Sequence, residues 1–237
     1  AATSFYSGKG NTLERRWRSQ FFNSLGMVYT FVTSFLGFEL LEGEGKVMAL
    51  AAYGDRSYVE KFRDLIRLTD DGRYQVNMDY FAFDTFGELR PFKQKFFETF
   101  GPARLPGEPL EDRHRALAFA LQNLTEEVIL HMVRHITRTS ASRNLVVSGG
   151  VALNCVANAR ILQDTDIERI WVPPNASDTG APLGACLWHQ YQTLGAKRAF
   201  ELRRADYGLS YGEHDVERSL RAAGLAWERL DDATLFA

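Results

Sequence analysis

Hydrophobic residues recur along this chain in two patterns, one typical of helices and one typical of short buried strands. The longest helical pattern covers 111–139, where apolar residues return at every third or fourth position. A second covers 24–38, and Ser24 stands where a helix cap is expected. Because helices and short strands alternate, the pattern indicates an α/β fold. Shorter patterns predict further helices over 47–53, 57–68, 179–192 and 213–223, and strands over 3–6, 74–78, 145–147, 170–172 and 227–230.

Two consecutive strand–turn–helix units over 145–192 carry the polar residues of greatest interest. The first strand leads into Gly149 and Gly150, and the second leads into a polar turn that contains Asp178. Open α/β sheets bind ligands at the C-terminal ends of their strands, where the amides of the following helix point outward. We therefore expect the two turns to border one ligand-binding cleft.

Three residues of the first turn are candidate ligand contacts. Gly149 and Gly150 have no Cβ, so a flat or charged ligand can approach their backbone closely. A helix predicted to begin near Val151 would point the positive end of its dipole at that ligand. Asn154 would lie in the first turn of that helix and offer its amide to a ribose or a base.

Asp178 has two interpretations, because it immediately precedes the predicted helix over 179–192. Its carboxylate could cap that helix, or it could ligate a metal or anchor a ligand. On the second interpretation, the side chains of Asn154 and Asp178 share the cleft. A structure that placed them on opposite surfaces would contradict this hypothesis.

Glu44 and Lys46 lie in a polar, glycine-spaced segment, 42–46, ahead of the helix predicted from Val47. The segment places a carboxylate and an amine close to a helix N-terminus. A solvated connection is the ordinary interpretation of such a loop, and a ligand contact is the alternative.

Two other features receive a structural interpretation. The segment of about 70–110 is rich in phenylalanine and lacks a clear period, so we predict an insertion packed on the domain surface. A satellite core is the ordinary interpretation of its aromatic rings, and acceptor or partner contacts are the alternative. His131 and His135 lie four residues apart on the longest helix, a spacing found in some zinc sites. They fall outside the apolar stripe, and no acidic third ligand is evident. We therefore predict two solvated histidines.

Composition narrows the classes of partner. The chain has 237 residues, of which 45% are hydrophobic and 24% are charged, as in globular proteins. A net charge of −2 gives no electrostatic reason to expect nucleic acid as a partner. Without an apolar run of about 18 residues or a signal peptide, we predict a cytoplasmic protein with no membrane partner. Cys155 and Cys186 are predicted to be buried and reduced.

The two ends of the chain suggest a fragment of a longer enzyme. The chain opens in a strand pattern without Met and stops in a helix-like pattern over 232–236. A basic, glycine-bounded stretch over 195–208 predicts a linker. We assign 1–194 to part of one domain, and 195–237 to a linker and the start of another.

Seven short motifs occur in order along the chain. They are ATSF at 2–5, GN at 10–11, SLG at 24–26, GF at 37–38, GEGKVMALAAYG at 43–54, SGGVALN at 148–154 and SDTG at 177–180. Together they resemble the O-carbamoyltransferases of nodulation and antibiotic biosynthesis. Each motif alone is common, but the combination extends from the first residues to about Tyr211 and is specific. The resemblance implies an actin/sugar-kinase/Hsp70-like (ribonuclease H-like) domain, here its C-terminal portion, with a mixed sheet flanked by helices.

The resemblance also implies a reaction. Members of this family use ATP and carbamoyl phosphate to make carbamoyl adenylate in a C-terminal domain that resembles threonylcarbamoyl-adenylate synthases. The domain seen here would then transfer the carbamoyl group to a hydroxyl of a sugar, an antibiotic or another secondary metabolite. Its partners would be that small-molecule acceptor and carbamoyl phosphate, and a homodimer is left open.

Family roles carry over to matching residues. Gly149, Gly150 and Asn154 would hold the adenylate, while Glu44 would contact the ribose with Lys46 close by. The resemblance implies no catalytic residue within this chain.

In the same way, Asp178 matches an aspartate that ligates a divalent metal, usually iron, which would act as a Lewis acid. The family's other ligands are two histidines in an upstream segment that this chain does not contain. His131 and His135 match a different helix and do not replace them. We therefore expect the isolated chain to be inactive.

Two other classes remain open on the sequence. One is an ATP-dependent sugar or acid kinase of the same superfamily, which would transfer a γ-phosphate. The other is a non-enzymatic homologue that binds only a nucleotide or a partner.

Overall fold

Helices and short strands alternate along the chain, as the hydrophobic pattern predicts. The computed structural model describes residues 2–82, 91–204 and 206–230. The helices are α1 (Leu25–Phe35), α2 (Glu44–Ala51), α3 (Val59–Arg63), α4 (Gln94–Phe100), α5 (Asp112–Thr139), α6 (Cys155–Asp164), α7 (Ala181–Trp188) and α8 (Glu213–Ala222). The strands are β1 (Ser4–Lys9), β2 (Thr12–Arg18), β3 (Ile66–Leu68), β4 (Tyr74–Val76), β5 (Asn144–Val146) and β6 (Arg169–Trp171).

The strands of the described residues form three separate two-stranded sheets. β1 pairs with β2 and β3 pairs with β4, both antiparallel, whereas β5 and β6 are parallel. The predicted α/β class is confirmed, but the described strands do not join into the single mixed sheet that was expected. β2 was not predicted because most of its side chains on both faces are exposed, so it shows no alternation of apolar and polar residues.

The core is one hydrophobic cluster centred on α1 and α5. Fifteen residues of α5 are buried, and the helix contacts α1, α2, α3 and α6. The cap predicted for α1 is confirmed, since the Ser24 hydroxyl accepts a hydrogen bond from the amide of Met27 at 3.1 Å. α5 is therefore the scaffold against which the site-bearing elements are positioned.

Three predicted elements are wrong or shifted. The helix expected over 57–68 is shorter, because α3 ends at Arg63 and 66–68 forms the strand β3. α2 begins at Glu44 rather than Val47, with Gly43 as its N-cap and the Glu44 carboxylate in its first turn, where the helix dipole favours a negative charge. The strand expected over 227–230 has no regular structure, and the helix-like pattern over 232–236 lies outside the described residues.

The described rings of the aromatic segment belong to the main core and not to a satellite cluster on the surface, and the predicted insertion is not confirmed. Phe81, Phe96 and Phe100 are almost fully buried and belong to the same cluster as α1 and α5. Phe96 contacts Phe35 of α1, with ring centroids 5.0 Å apart. The segment lacked a clear period because its rings come from a bridge, a loop and the seven-residue helix α4. Residues 83–90, which include Phe83 and Phe86, lie outside the described residues.

The burial predicted for both cysteines is also wrong, because Cys155 and Cys186 are exposed. α6 turns Ala157 and Ile161 inward, and Cys155 lies two residues before Ala157, on another side of the helix. α7 is apolar in sequence, but none of its residues is buried in the described structure.

The chain divides into two compact units, Ala1–Phe200 and Glu201–Ala237. The first holds the core and all six strands, and the second contains α8. Among the described residues, none of the helices is both long and apolar enough to span a membrane.

Gly54 is required where the end of α2 meets α5. A Cβ at this position would collide with the backbone of Arg115 and lie 2.7 Å from the Cβ of Phe119. We expect Gly54→Ala to destabilise the protein by about 1–3 kcal/mol, because backbone cannot move aside as a flexible side chain can. The shift in the urea unfolding midpoint of the full-length protein measures this effect.

Gly45, which lies inside α2, provides the control. A Cβ there meets nothing within 4 Å. Gly45→Ala should therefore leave the midpoint unchanged or raise it, since alanine is favoured over glycine in a helix by up to about 1 kcal/mol. Equal midpoints for the two variants would contradict the close packing inferred at Gly54.

Candidate functional site

The two predicted turns are joined directly by hydrogen bonds. The amide of Gly149 donates to the carbonyl of Ala176 at 2.6 Å, and the hydroxyl of Ser148 donates to the same carbonyl at 3.0 Å. Both turns follow parallel strands, so they lie at the same edge of the β5–β6 sheet. The two turns are therefore neighbours, as expected, and a backbone hydrogen bond joins them.

The glycines of the first turn face open space. Gly149 has φ 105° and ψ 167°, a conformation essentially restricted to glycine. A Cβ built on Gly149 or Gly150 would meet no atom within 4 Å. Backbone conformation therefore accounts for the glycine at 149, whereas neither conformation nor packing requires one at 150, and a ligand can reach this backbone.

Asn154 caps a helix and does not lie inside it. Gly150–Leu153 form one turn of 3₁₀ helix, and α6 begins only at Cys155. The Asn154 Oδ1 atom accepts from the amide of Ala157 at 3.0 Å. The predicted helix start near Val151 is thus wrong by several residues, because an Asn side chain competes well for the free amides of a helix N-terminus.

A buried glutamine of α5, which sequence reasoning did not single out, holds Asn154. Gln122 Nε2 donates to Asn154 Oδ1 at 3.0 Å, and Asn154 Nδ2 donates back to Gln122 Oε1 at 2.9 Å. Gln122 is 5% exposed and also contacts Glu126 and Tyr29. The sequence signal that could have identified Gln122 is its position four residues before Glu126, because two polar residues at this spacing share a face of the long apolar helix α5.

Glu44 is anchored at the first position of α2. Its Oε1 atom accepts from the hydroxyl of Thr30 at 2.6 Å and from the amide of Leu41 at 3.2 Å. The interpretation of this residue as part of a solvated loop is therefore wrong. Lys46 is exposed, and no described residue forms a hydrogen bond or ion pair with its amine.

Tyr29 of α1 lies close enough to Glu44 to be affected by its charge, and it also bonds the glutamine that holds Asn154. Its hydroxyl donates to Gln122 Oε1 at 3.1 Å. Burial raises the pKa of Tyr29, and the negative charges of Glu44 and Glu126 raise it further. The hydroxyl therefore keeps its proton and remains a donor to the glutamine.

Asp178 lies on the surface at the start of a single 3₁₀ turn, Asp178–Gly180, and its side chain caps neither this turn nor α7. The capping interpretation is therefore wrong. Its carboxylate has no hydrogen-bond or ion-pair partner in the described part of the chain. Within 2–82, 91–204 and 206–230, no three His, Cys, Asp or Glu side chains are placed to share a metal ion. The described residues alone therefore do not fit a metal.

His131 and His135 are half-buried and not simply solvated. His131 Nε2 lies 2.9 Å from the carbonyl of Thr69, and the ring of His135 packs against Gly72 in the β3–β4 turn. They line a cavity of about 450 Å³ together with Arg134. A second cavity of about 490 Å³ is bordered by the β2 and β4 strands. Neither cavity is lined by the predicted ligand residues.

The fold and site define an α/β domain in which two strand-to-helix turns are bonded together at one sheet edge. A family model described as the carbamoyltransferase N-terminus matches residues 1–187. This chain belongs to that carbamoyltransferase family.

Similar proteins come from several bacteria. A Synechocystis protein described as uncharacterized is 42% identical over all of this chain, which covers 39% of that protein. Nodulation protein NolNO of Sinorhizobium fredii is 30% identical over 89% of this chain, which covers 30% of it. Nodulation protein NolO of Bradyrhizobium diazoefficiens is 34% identical over 70% of this chain, which covers 28% of it. The chain thus spans less than two fifths of these relatives.

Proposed function

We propose that this chain forms part of the carbamoyl-transfer domain of an O-carbamoyltransferase. The observation that carries the proposal is the bonded pair of turns, with its exposed glycine backbone, in a chain of the carbamoyltransferase family. On this proposal the domain has the actin/sugar-kinase/Hsp70-like fold. Residues 195–237 form a linker and the start of a domain that makes carbamoyl adenylate from ATP and carbamoyl phosphate.

In the transfer step, an acceptor hydroxyl oxygen forms a bond to the carbonyl carbon of carbamoyl adenylate. The bond from that carbon to the phosphate oxygen breaks, AMP leaves, and the hydroxyl proton passes to solvent or a base. The backbone of Gly149 and Gly150 and the amide of Asn154 bind and orient the adenylate. Glu44, held by Thr30 and Leu41, contacts the ribose, and Lys46 offers a positive charge nearby.

The proposed metal is divalent, with Asp178 as one ligand. When bound, it would supply Lewis-acid polarisation of the carbonyl. A single exposed carboxylate does not fit such an ion, so we base no step of the reaction on the metal.

The test is a product assay on the full-length protein with ATP, carbamoyl phosphate and a panel of sugars, antibiotics and other secondary metabolites that carry hydroxyl groups. We expect AMP release that depends on the acceptor, together with a carbamate ester on that acceptor. Release of ADP with a phosphorylated acceptor would instead identify a kinase. Nucleotide binding without any product would favour a non-enzymatic homologue, and either result would overturn the proposal.

A further inference from the structure

We infer that Gln122 is a positioning residue, which fixes the orientation of the Asn154 amide and so decides what Asn154 offers to the nucleotide. The inference rests on the proposed function. It adds to the site a residue of α5, whereas Asn154 lies in the turn between β5 and α6. Gln122 is buried in α5 and acts through Asn154 rather than by touching the ligand.

The orientation of Asn154 is determined from one side by α6. The amide of Ala157 is a donor, so the side-chain atom 3.0 Å from it must be the oxygen. This places Nδ2 on the opposite arm of the amide, facing Gln122 Oε1 at 2.9 Å. A flipped Asn154 would oppose two donors at the helix N-terminus.

The orientation of Gln122 is determined from the other side by α1 and α5. Its Nε2 donates to the Glu126 carboxylate at 2.9 Å, and its Oε1 accepts from the Tyr29 hydroxyl at 3.1 Å. With the two bonds to Asn154, both hydrogens and both lone pairs of the Gln122 amide are used. A flipped Gln122 would place its oxygen against the Glu126 carboxylate, at a buried position where such repulsion is costly.

Counting the hydrogen bonds of the Asn154 amide in the same way leaves one N–H group for a ligand. Its oxygen accepts from Ala157 and Gln122, and one hydrogen of Nδ2 goes to Gln122. The second Nδ2 hydrogen has no acceptor in the described part of the chain, and the residue is half-exposed. Asn154 can therefore only donate, and it recognises an acceptor atom of the nucleotide, such as a ribose oxygen or a ring nitrogen.

The experiment is a double-mutant cycle on the full-length protein, with AMP binding measured by calorimetry. We expect Gln122→Met to weaken AMP binding about tenfold, because the Asn154 amide is no longer held. Asn154→Ala should weaken it by a similar factor. In the Asn154→Ala background, Gln122→Met should add less than about a twofold effect, since Gln122 acts only through Asn154.

A conservative variant covers the case in which Gln122→Met does not fold. Gln122→Glu keeps the shape but replaces the Nε2 donor with an acceptor facing Glu126 and Asn154 Oδ1. The other charged groups nearby are Arg160, which pairs with Glu126, and Glu44 beyond Tyr29. We expect weak AMP binding at about pH 8 that recovers towards about pH 5.5, because a protonated carboxyl can donate again. The exposed Gln163 of α6 supplies the control, and Gln163→Met should bind AMP like the wild type.

The possible failures are distinct. If the wild type binds no AMP, the proposed function and the inference both fail. If Asn154→Ala weakens binding but Gln122→Met does not, only the inference fails. Additive effects in the double variant would show that Gln122 acts on general stability, and would also overturn the inference.

Discussion

Gly150→Ala is expected to weaken AMP binding by the full-length protein at least about tenfold while leaving its stability within about 0.5 kcal/mol of the wild type. In the chain itself, a methyl group at this position meets nothing within 4 Å, and the backbone is not in the left-handed region. The substitution is therefore tolerated by the fold. A ligand that approaches the backbone closely would collide with the new methyl group.

Gly149→Ala serves as the contrasting variant. Its φ of 105° and ψ of 167° lie in a region essentially restricted to glycine, so alanine there costs about 1–3 kcal/mol. It should lower both stability and AMP affinity, whereas Gly150→Ala should lower affinity alone. Calorimetric titration with AMP and the urea unfolding midpoint separate the two effects. Unchanged affinity in Gly150→Ala would mean that the open space at the turn does not hold the nucleotide.

The elements that were predicted correctly from sequence are those with a recognisable pattern within their own residues. α5 has a long periodic stripe, and α1 has a serine placed to cap its first turn. The parallel strands β5 and β6 were visible as short apolar runs that end in glycine or polar turns. In each case the signal is local, so no knowledge of distant contacts was needed.

The elements that sequence missed depend on distant contacts. α4 carries aromatic residues that pack against α1, and β2 is recognisable only through its pairing with β1. Among the site residues, Gln122 lies 32 positions before Asn154, so their pairing appears only in the folded chain. The glycines, Asn154, Asp178 and Glu44 were found from their motifs, and their roles in ligand binding remain predictions.

The second large effect concerns the carboxylate that supports Gln122. Glu126 is 7% exposed and accepts from Gln122 at 2.9 Å and from Arg160 Nη1 at 2.8 Å. Removing Arg160 leaves this buried carboxylate without its cation. Breaking a buried pair from one side costs about 3–5 kcal/mol, and the 41% exposure of the Arg160 side chain reduces the expected loss for Arg160→Met to about 2–3 kcal/mol.

The neighbouring residue on α5 provides a matched control. Glu127 pairs with Arg63 through two hydrogen bonds of 2.7 and 3.1 Å, but the Glu127 side chain is 30% exposed, against 9% for that of Glu126. Arg63→Met should therefore cost no more than about 1 kcal/mol. The comparison separates the cost of a buried unpaired charge from the loss of an arginine as such.

Hydrogen exchange of the α5 amides in the full-length protein, followed by mass spectrometry, measures both losses as changes in the free energy of opening. Adding Glu126→Gln to Arg160→Met should recover part of the lost stability, because the uncompensated charge is removed while an acceptor for Gln122 remains. Equal losses for Arg160→Met and Arg63→Met, or no recovery in the double variant, would show that the Glu126 charge is well solvated. In that event Glu126 would also be a weaker anchor for Gln122, because the orientation of the glutamine depends on a carboxylate that water does not reach.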